Sequence, residues 1–232
     1  MRLEVAGTPE ALAERAADVL ADLLRATVRE RGRATVAVSG GRTPGAMLAA
    51  LAARTVPWEH VHVLQVDERI APEGDPDRNL GLLRERFLDR LPGPAPTLHA
   101  MPVTAGDPDE AAARYAARLV ELAGDPPVLD VVQLGMGADG HTASLVPGDP
   151  VLEVTDREVA ATGTYQGRRR LTATFPLLAR ARQRLWLVSG ADKAAALARV
   201  RAGDRALPAA RLPQRAARWL VDRAAAGEPD RP

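Results

Sequence analysis

The stretch Asp130–Gly148, DVVQLGMGADGHTASLVPG, decides how this chain is read. An apolar run, Val128 to Leu134, enters a turn containing Gly135, Gly137 and Gly140, and inside that turn Asp139 and His141 stand two residues apart. The glycine spacing satisfies the dinucleotide fingerprint G-x-G-x-x-G, in which a strand meets a helix at a pyrophosphate. The Asp-Gly-His within it carries a different chemistry, a carboxylate beside an imidazole that can serve as a general base.

Position separates the two readings. A dinucleotide fingerprint opens a helix in the first βαβ unit of a domain. This turn lies past the middle of the chain, and Pro147, Gly148 and Pro150 limit any following helix to about two turns. An acidic residue at roughly the required distance, Asp156 or Glu158, is too common a feature to reverse the choice. The base-and-carboxylate reading is preferred.

Working outward, the pattern alternates strand and helix. Thr8-Pro9 has the form of an N-cap and first-turn proline, and apolar residues keep helical spacing from Glu10 to Arg31, where Gly32 stops them. Ala34–Val38 (ATVAV) reads as a buried strand running into Ser39-Gly40-Gly41-Arg42-Thr43-Pro44 and an Ala/Leu-rich helix. Such a turn lets backbone N–H groups approach an anion, with Arg42 and Thr43 adding a guanidinium and a hydroxyl. The same residues form A-x-S-x-G, a degenerate nucleophile elbow around Ser39, which lacks the first glycine and a suitably placed later histidine.

His60–Val66 reads as a strand ending in Asp67-Glu68-Arg69, where open parallel sheets place ligands. His60 and His62 would share one face of it, and without a third ligand they are read as structural. Helices are expected over Asn79–Leu91 and Pro108–Leu122, with the Pro- and Gly-rich 92–108 stretch as a connection. Later strands are expected over Glu158–Thr162, Arg170–Phe175 and Arg184–Val188, with a helix over Asp192–Val200 and a last strand or short buried segment at Trp219–Val221. The predicted fold class is therefore α/β, a doubly wound, mostly parallel, Rossmann-like sheet flanked by helices, in a single domain spanning residues 1–232.

Composition narrows the function. The 232 residues carry a net charge of +1 and only seven aromatics, which gives neither a basic field nor a stacking surface for nucleic acid. No cysteine is present, so thiolate chemistry is excluded, and no run approaches a membrane span. A cytoplasmic protein with a small-molecule partner, a monomer or small homo-oligomer, is expected, with no cofactor and no metal. Thirty arginines stand against one lysine, Lys193, in the first turn of a predicted helix. A lysine there opposes the helix dipole, so a negative group is expected beside it.

Ser39-Gly40-Gly41-x-Thr43-Pro44, Asp67-Glu68-Arg69, Asn79, Leu134-Gly-Met-Gly-x-Asp139-Gly-His141-Thr-Ala-Ser144-Leu-x-Pro-Gly148, Arg170-Leu-Thr172 and Gly190-x-x-Lys193 occur in one order across most of the chain. Together they resemble the motif series of the 6-phosphogluconolactonase family. The resemblance implies hydrolysis of 6-phosphoglucono-δ-lactone to 6-phosphogluconate in the oxidative pentose phosphate pathway, without a cofactor. It further implies His141 as general base, Asp139 as its orienting carboxylate and Arg69 at the lactone carbonyl or developing carboxylate. The substrate and phosphate set would be Ser39, Gly40, Gly41, Arg42, Thr43, Asp67, Asn79, Arg170 and Lys193.

Three positions depart from the family pattern. Arg42 stands where a serine is common, Arg78 replaces a serine before Asn79, and Val146 replaces a phenylalanine. The related glucosamine-6-phosphate deaminases usually carry a tyrosine where Arg69 stands and a catalytic glutamate where this chain has Val146, so a lactonase is preferred. A sugar-phosphate sensor on the same scaffold is the remaining alternative, and no helix-turn-helix segment or basic stripe accompanies it.

Overall fold

The computed structural model describes Met1 and residues 3–228. In chain order the strands are β1 (Leu3–Ala6), β2 (Ala34–Val38), β3 (Val61–Gln65), β4 (Asp67–Arg69), β5 (Thr97–His99), β6 (Val131–Leu134), β7 (Val159–Ala161), β8 (Arg170–Ala173), β9 (Gln183–Val188) and β10 (Ala217–Asp222). The helices that matter below are α1 (Pro9–Arg31), α2 (Arg42–Ala52), α3 (Asn79–Arg86), α4 (Pro108–Ala123), α5 (Phe175–Arg180) and α6 (Ala194–Arg201).

Seven strands form a wholly parallel sheet in the order β1-β10-β9-β6-β2-β3-β5. Apolar burial on both faces explains the continuous apolar strands. Along β9, Leu185 and Leu187 enter the core under α1 and α2, while Trp186 and Val188 enter the opposite core with α4, α5 and α6. Trp186 stacks on Trp219 of β10, with ring centroids 4.1 Å apart and planes within 3°. Each such fully buried large side chain contributes about 1.5–3 kcal/mol.

The winding reverses between β6 and β2. From β2 the chain proceeds outward through β3 and β5, and from β6 it proceeds the other way through β9 and β10. That is the switch point at which the two following loops diverge and leave a crevice. The loops are Ser39–Gly41 after β2 and Gly135–His141 after β6, the two glycine turns of the sequence.

A second, three-stranded antiparallel sheet, β4-β8-β7, was not expected. The predicted strand His60–Val66 is shorter, since His60 lies in a one-turn 3₁₀ helix, Trp58–His60, and Asp67–Arg69 is not the end of β3 but a strand of this sheet. Val66 makes the transfer: its N–H bonds Val38 O and its carbonyl accepts Ala173 N. The predicted strand Arg170–Phe175 stops at Ala173, because Pro176 suits the first turn of α5, so Thr174 is the residue before a helix and does not share a strand face with Arg170 and Thr172. No helix follows the central turn; Pro150–Glu153 forms a 3₁₀ turn instead. Edge strands β1 and β5, of four and three residues, are additions to the expected set.

Candidate active site

The two glycine turns, β4 and the start of β8 surround a cleft of about 550 Å³ at the C-terminal edge of the parallel sheet. Ser39, Gly40, Gly41, Arg42, Thr43, Asp67, Arg69, Asn79, His141, Arg170 and Lys193 all line it. Of the catalytic and binding residues expected from the sequence, only Asp139 does not; it contacts His141 from outside the lining.

The central turn is built around that pair. Asp139 Oδ1 accepts the His141 backbone N–H at 3.1 Å and the imidazole Nδ1–H at 2.6 Å, so a separation of two residues is enough for side-chain contact. With Nδ1 held by the carboxylate, Nε2 carries the free lone pair. Burial works against the Asp139 charge, but the imidazole and two hydrogen bonds from His141 outweigh it and hold the carboxyl below its usual range. Gly137 has a specific reason to be glycine: a Cβ there would overlap the His141 ring and Asp139 Oδ1. Its function is room for the imidazole, and the left-handed turn residue is Gly140, with φ of 79°.

On the other wall, Asp67 accepts the Ser144 hydroxyl at 2.6 Å and the Asn79 amide at 3.3 Å. Gly40 leaves the space that the Asn79 amide occupies, since a Cβ at 40 would overlap it. Glu68, fully buried, accepts the backbone N–H groups of Arg69, Asn79 and Leu80 at 2.7–2.8 Å and so anchors β4 to the N-terminus of α3. Ser39 donates its hydroxyl to Gln133 O at 3.0 Å, and no histidine among the described residues hydrogen-bonds it as a hydrolase elbow would need.

Arg69 donates Nη1 to Asp77 O, and Arg170 reaches Ser144 Oγ at 3.5 Å and Gln166 Oε1 at 3.4 Å. Among the described residues the buried Nε of each has no hydrogen-bond partner. Burial, and then repulsion from Arg69, lowers the pKa of Arg170. Two guanidiniums lining one cleft, with no carboxylate at ion-pair distance among the described residues, suit an anionic ligand.

Lys193 pairs with Asp192 at 2.7 Å. Asp192 thus supplies the negative group expected beside this lysine, and the ion pair draws the Asp192 carboxyl below its usual range. Lys193 itself closes the 3₁₀ turn Ala191–Lys193, and α6 begins only at Ala194. At the same cleft α2 starts at Arg42 without a side-chain cap, so no capping side chain meets its first N–H groups.

The site residues for which no role was expected from the sequence are Glu68, Ser144, Gln133, Tyr165 and Asp192. Each acts through a partner brought in by the fold, or by an adjacent charge whose pairing the sequence does not show. His62 meets His99 of β5 at 3.0 Å, and among the described residues no group of three or more His, Cys, Asp or Glu could hold a metal.

The sequence pattern of the glucosamine-6-phosphate isomerases/6-phosphogluconolactonase family matches residues 7–221. The chain belongs to that family. It is 39% identical over 234 residues to the 6-phosphogluconolactonase of Nostoc sp., covering 97% of each chain. It is 39% identical over 239 residues to the 6-phosphogluconolactonase of Synechocystis sp., covering 100% of this chain and 99% of that one.

Among solved structures, a 6-phosphogluconolactonase from Thermotoga maritima superposes with a TM-score of 0.84 at 24% identity, over 95% of this chain and 98% of that one. A monomeric glucosamine-6-phosphate deaminase superposes with 0.83 at 21% identity, over 98% and 99%. Both likenesses concern the fold. Since the family's two activities share it, the site has to decide between them.

Proposed function

We propose that this chain hydrolyses 6-phosphoglucono-δ-lactone to 6-phosphogluconate, as an esterase of the oxidative pentose phosphate pathway. The observation that carries the reading is the His141–Asp139 pair in one cleft with two guanidiniums, half-buried Arg69 and buried Arg170, that have no carboxylate at ion-pair distance among the described residues. The relatives named above support the same activity.

In this reading His141 Nε2 takes a proton from water as its oxygen attacks the lactone carbonyl, and Asp139 supports the imidazolium. Arg69 faces the oxygen that gains charge. The ring C–O bond then breaks, and the imidazolium returns its proton to the departing ring oxygen, which becomes a hydroxyl. The acid formed loses a proton to solvent. Lys193, Arg42, Arg170 and the uncapped start of α2 take the phosphate, with Ser39, Gly40, Gly41 and Thr43 shaping the cradle and Asp67 and Asn79 facing the sugar. Every one of these residues comes from one chain, which suits a monomer or a small homo-oligomer. A cytoplasmic location accords with the phosphorylated substrate, and no helix among the described residues is long and apolar enough to cross a membrane.

The deaminase reading lacks an ionisable group at the position where its glutamate is expected. Val146 is a core residue, 9% exposed. The test is proton release on adding freshly made 6-phosphogluconolactone. Release well above the spontaneous rate is expected. No excess release, together with tight binding of 6-phosphogluconate, would overturn the enzyme in favour of a sensor.

A further inference from the structure

Between β7 and β8 the chain makes a tight hairpin. Tyr165 and Arg168 exchange backbone hydrogen bonds of 3.0 and 3.2 Å, and the two residues between them, Gln166 and Gly167, have φ of 51° and 77°. Two successive positive φ values are the type I′ arrangement, whose twist matches that of the flanking strands. The positive φ of the exposed Gln166 is set by the turn itself, and the hairpin as a whole is fixed by its surroundings.

Those surroundings are the active site. The Tyr165 hydroxyl donates to Asp139 Oδ2 at 3.4 Å, on the side of the carboxylate away from His141. The phenol ring meets the imidazole edge to face, with centroids 5.6 Å apart at 67°. The Arg170 guanidinium lies 5.0 Å from the centre of the same ring. From the other arm of the hairpin, Arg168 donates to Asp75 and Asp77 at 2.9 Å each, and the Asp77 carbonyl accepts Arg69 Nη1. One hairpin therefore touches the His141–Asp139 pair directly and reaches Arg69 through Asp77.

We infer that Tyr165 is a positioning residue for the His141–Asp139 pair, holding the carboxylate by its hydroxyl and the imidazole by its ring. The inference rests on the reading of His141 as the base. A carboxylate bonded on one oxygen only can turn about its last torsion; a donor on Oδ2 keeps Oδ1 on Nδ1 and so keeps Nε2 aimed into the cleft. The phenol remains a donor while the imidazole works, because burial and then the Asp139 charge raise its pKa against the smaller opposing effect of Arg170. The other charged groups that act on Arg170 here are Arg69 and Asp67 of β4 and Asp77 of the following loop.

The experiment compares Tyr165→Phe, Tyr165→Ala and His141→Ala with the parent chain, measuring kcat and KM for the lactone from about pH 5 to 9. Tyr165→Ala should lower kcat about tenfold with KM nearly unchanged, since orientation is lost and the phosphate contacts remain. Tyr165→Phe should recover most of that kcat, because the ring edge survives. It should also move the acid limb of kcat/KM to higher pH, since an Asp139 relieved of its second donor holds the imidazolium more strongly.

Parent kcat and an unshifted acid limb in both Tyr165 variants, with His141→Ala inactive, would overturn the positioning role alone. A raised KM at constant kcat would assign Tyr165 to substrate binding and overturn it too. Full activity in His141→Ala would defeat the general-base reading and the positioning role with it.

Discussion

Asp130 at the N-terminal end of β6 and Arg170 facing its C-terminal end are both buried charges, 5% exposed each, but their partners differ. Asp130 Oδ2 accepts the N–H and the hydroxyl of Thr35 at 2.9 Å, and Oδ1 lies 3.3 and 3.4 Å from Nε of Arg31 and Arg182, as ion pairs without an aligned hydrogen bond. Its charge is met from within the fold. Arg170 and its neighbour Arg69 retain Nε donors without a partner among the described residues. Neither has a carboxylate at ion-pair distance among the described residues, and an anion in the cleft would supply the missing charge. The same strand thus carries a structural end and a functional end, distinguished by whether charge is satisfied internally.

Substitutions at the two ends should separate along that line. The largest effect is expected at His141: the alanine variant should lose roughly 10²–10⁴-fold in kcat with an unchanged melting temperature. A variant that turns over normally, or that unfolds, would break the distinction. Asp130→Ala should do the reverse, losing about 1–3 kcal/mol of stability, chiefly by leaving the Thr35 N–H and hydroxyl without their acceptor, while the folded fraction keeps its kcat. Chemical denaturation followed by assay of the folded protein checks both halves.

A smaller effect is expected at Lys193. Its alanine variant should raise KM for phosphorylated substrate about tenfold with kcat largely retained, because a remote phosphate contact acts as binding energy. An unchanged KM would remove Lys193 from the phosphate site.

The smallest effect lies at the sheet edge, away from both ends of β6. Burial, then the neighbouring His62 and Arg118, lowers the pKa of His99 to about 4. A histidine that stays neutral when folded but protonates near 6.5 when unfolded supports the fold fully above that value. Its contribution is lost as pH falls from 6.5 towards 4, by about 1 kcal/mol after allowing for solvent screening. A melting curve series across that window should show the decline, and His99→Gln should flatten it.

The parallel sheet was legible because strands buried on both faces are nearly continuous apolar runs, as in Ala34–Val38 and Leu185–Val188. The second sheet was not, because Asp67-Glu68-Arg69 has the composition of a loop and pairs with residues about a hundred positions away in β8. Short edge strands such as Thr97–His99 offer too few residues for an alternation to show. At the site, the glycine turns, the Asp-Gly-His and the lone lysine were visible as local patterns, and the fold gathers them at one cleft. The contacts that join them were not: Ser144 reaches Asp67 across 77 residues, and Tyr165 reaches Asp139 across 26. Spacing reports what one element presents; it is silent on what another element brings to meet it.

The central claim is that the unmet charges at the C-terminal end of β6 belong to a phosphorylated lactone. The most direct measurement is kcat/KM for 6-phosphogluconolactone against the same lactone without its phosphate, each followed by proton release. The phosphorylated lactone should be preferred by about a hundredfold or more, as expected when several charge-assisted contacts act on one group. Equal values for the two lactones would contradict it.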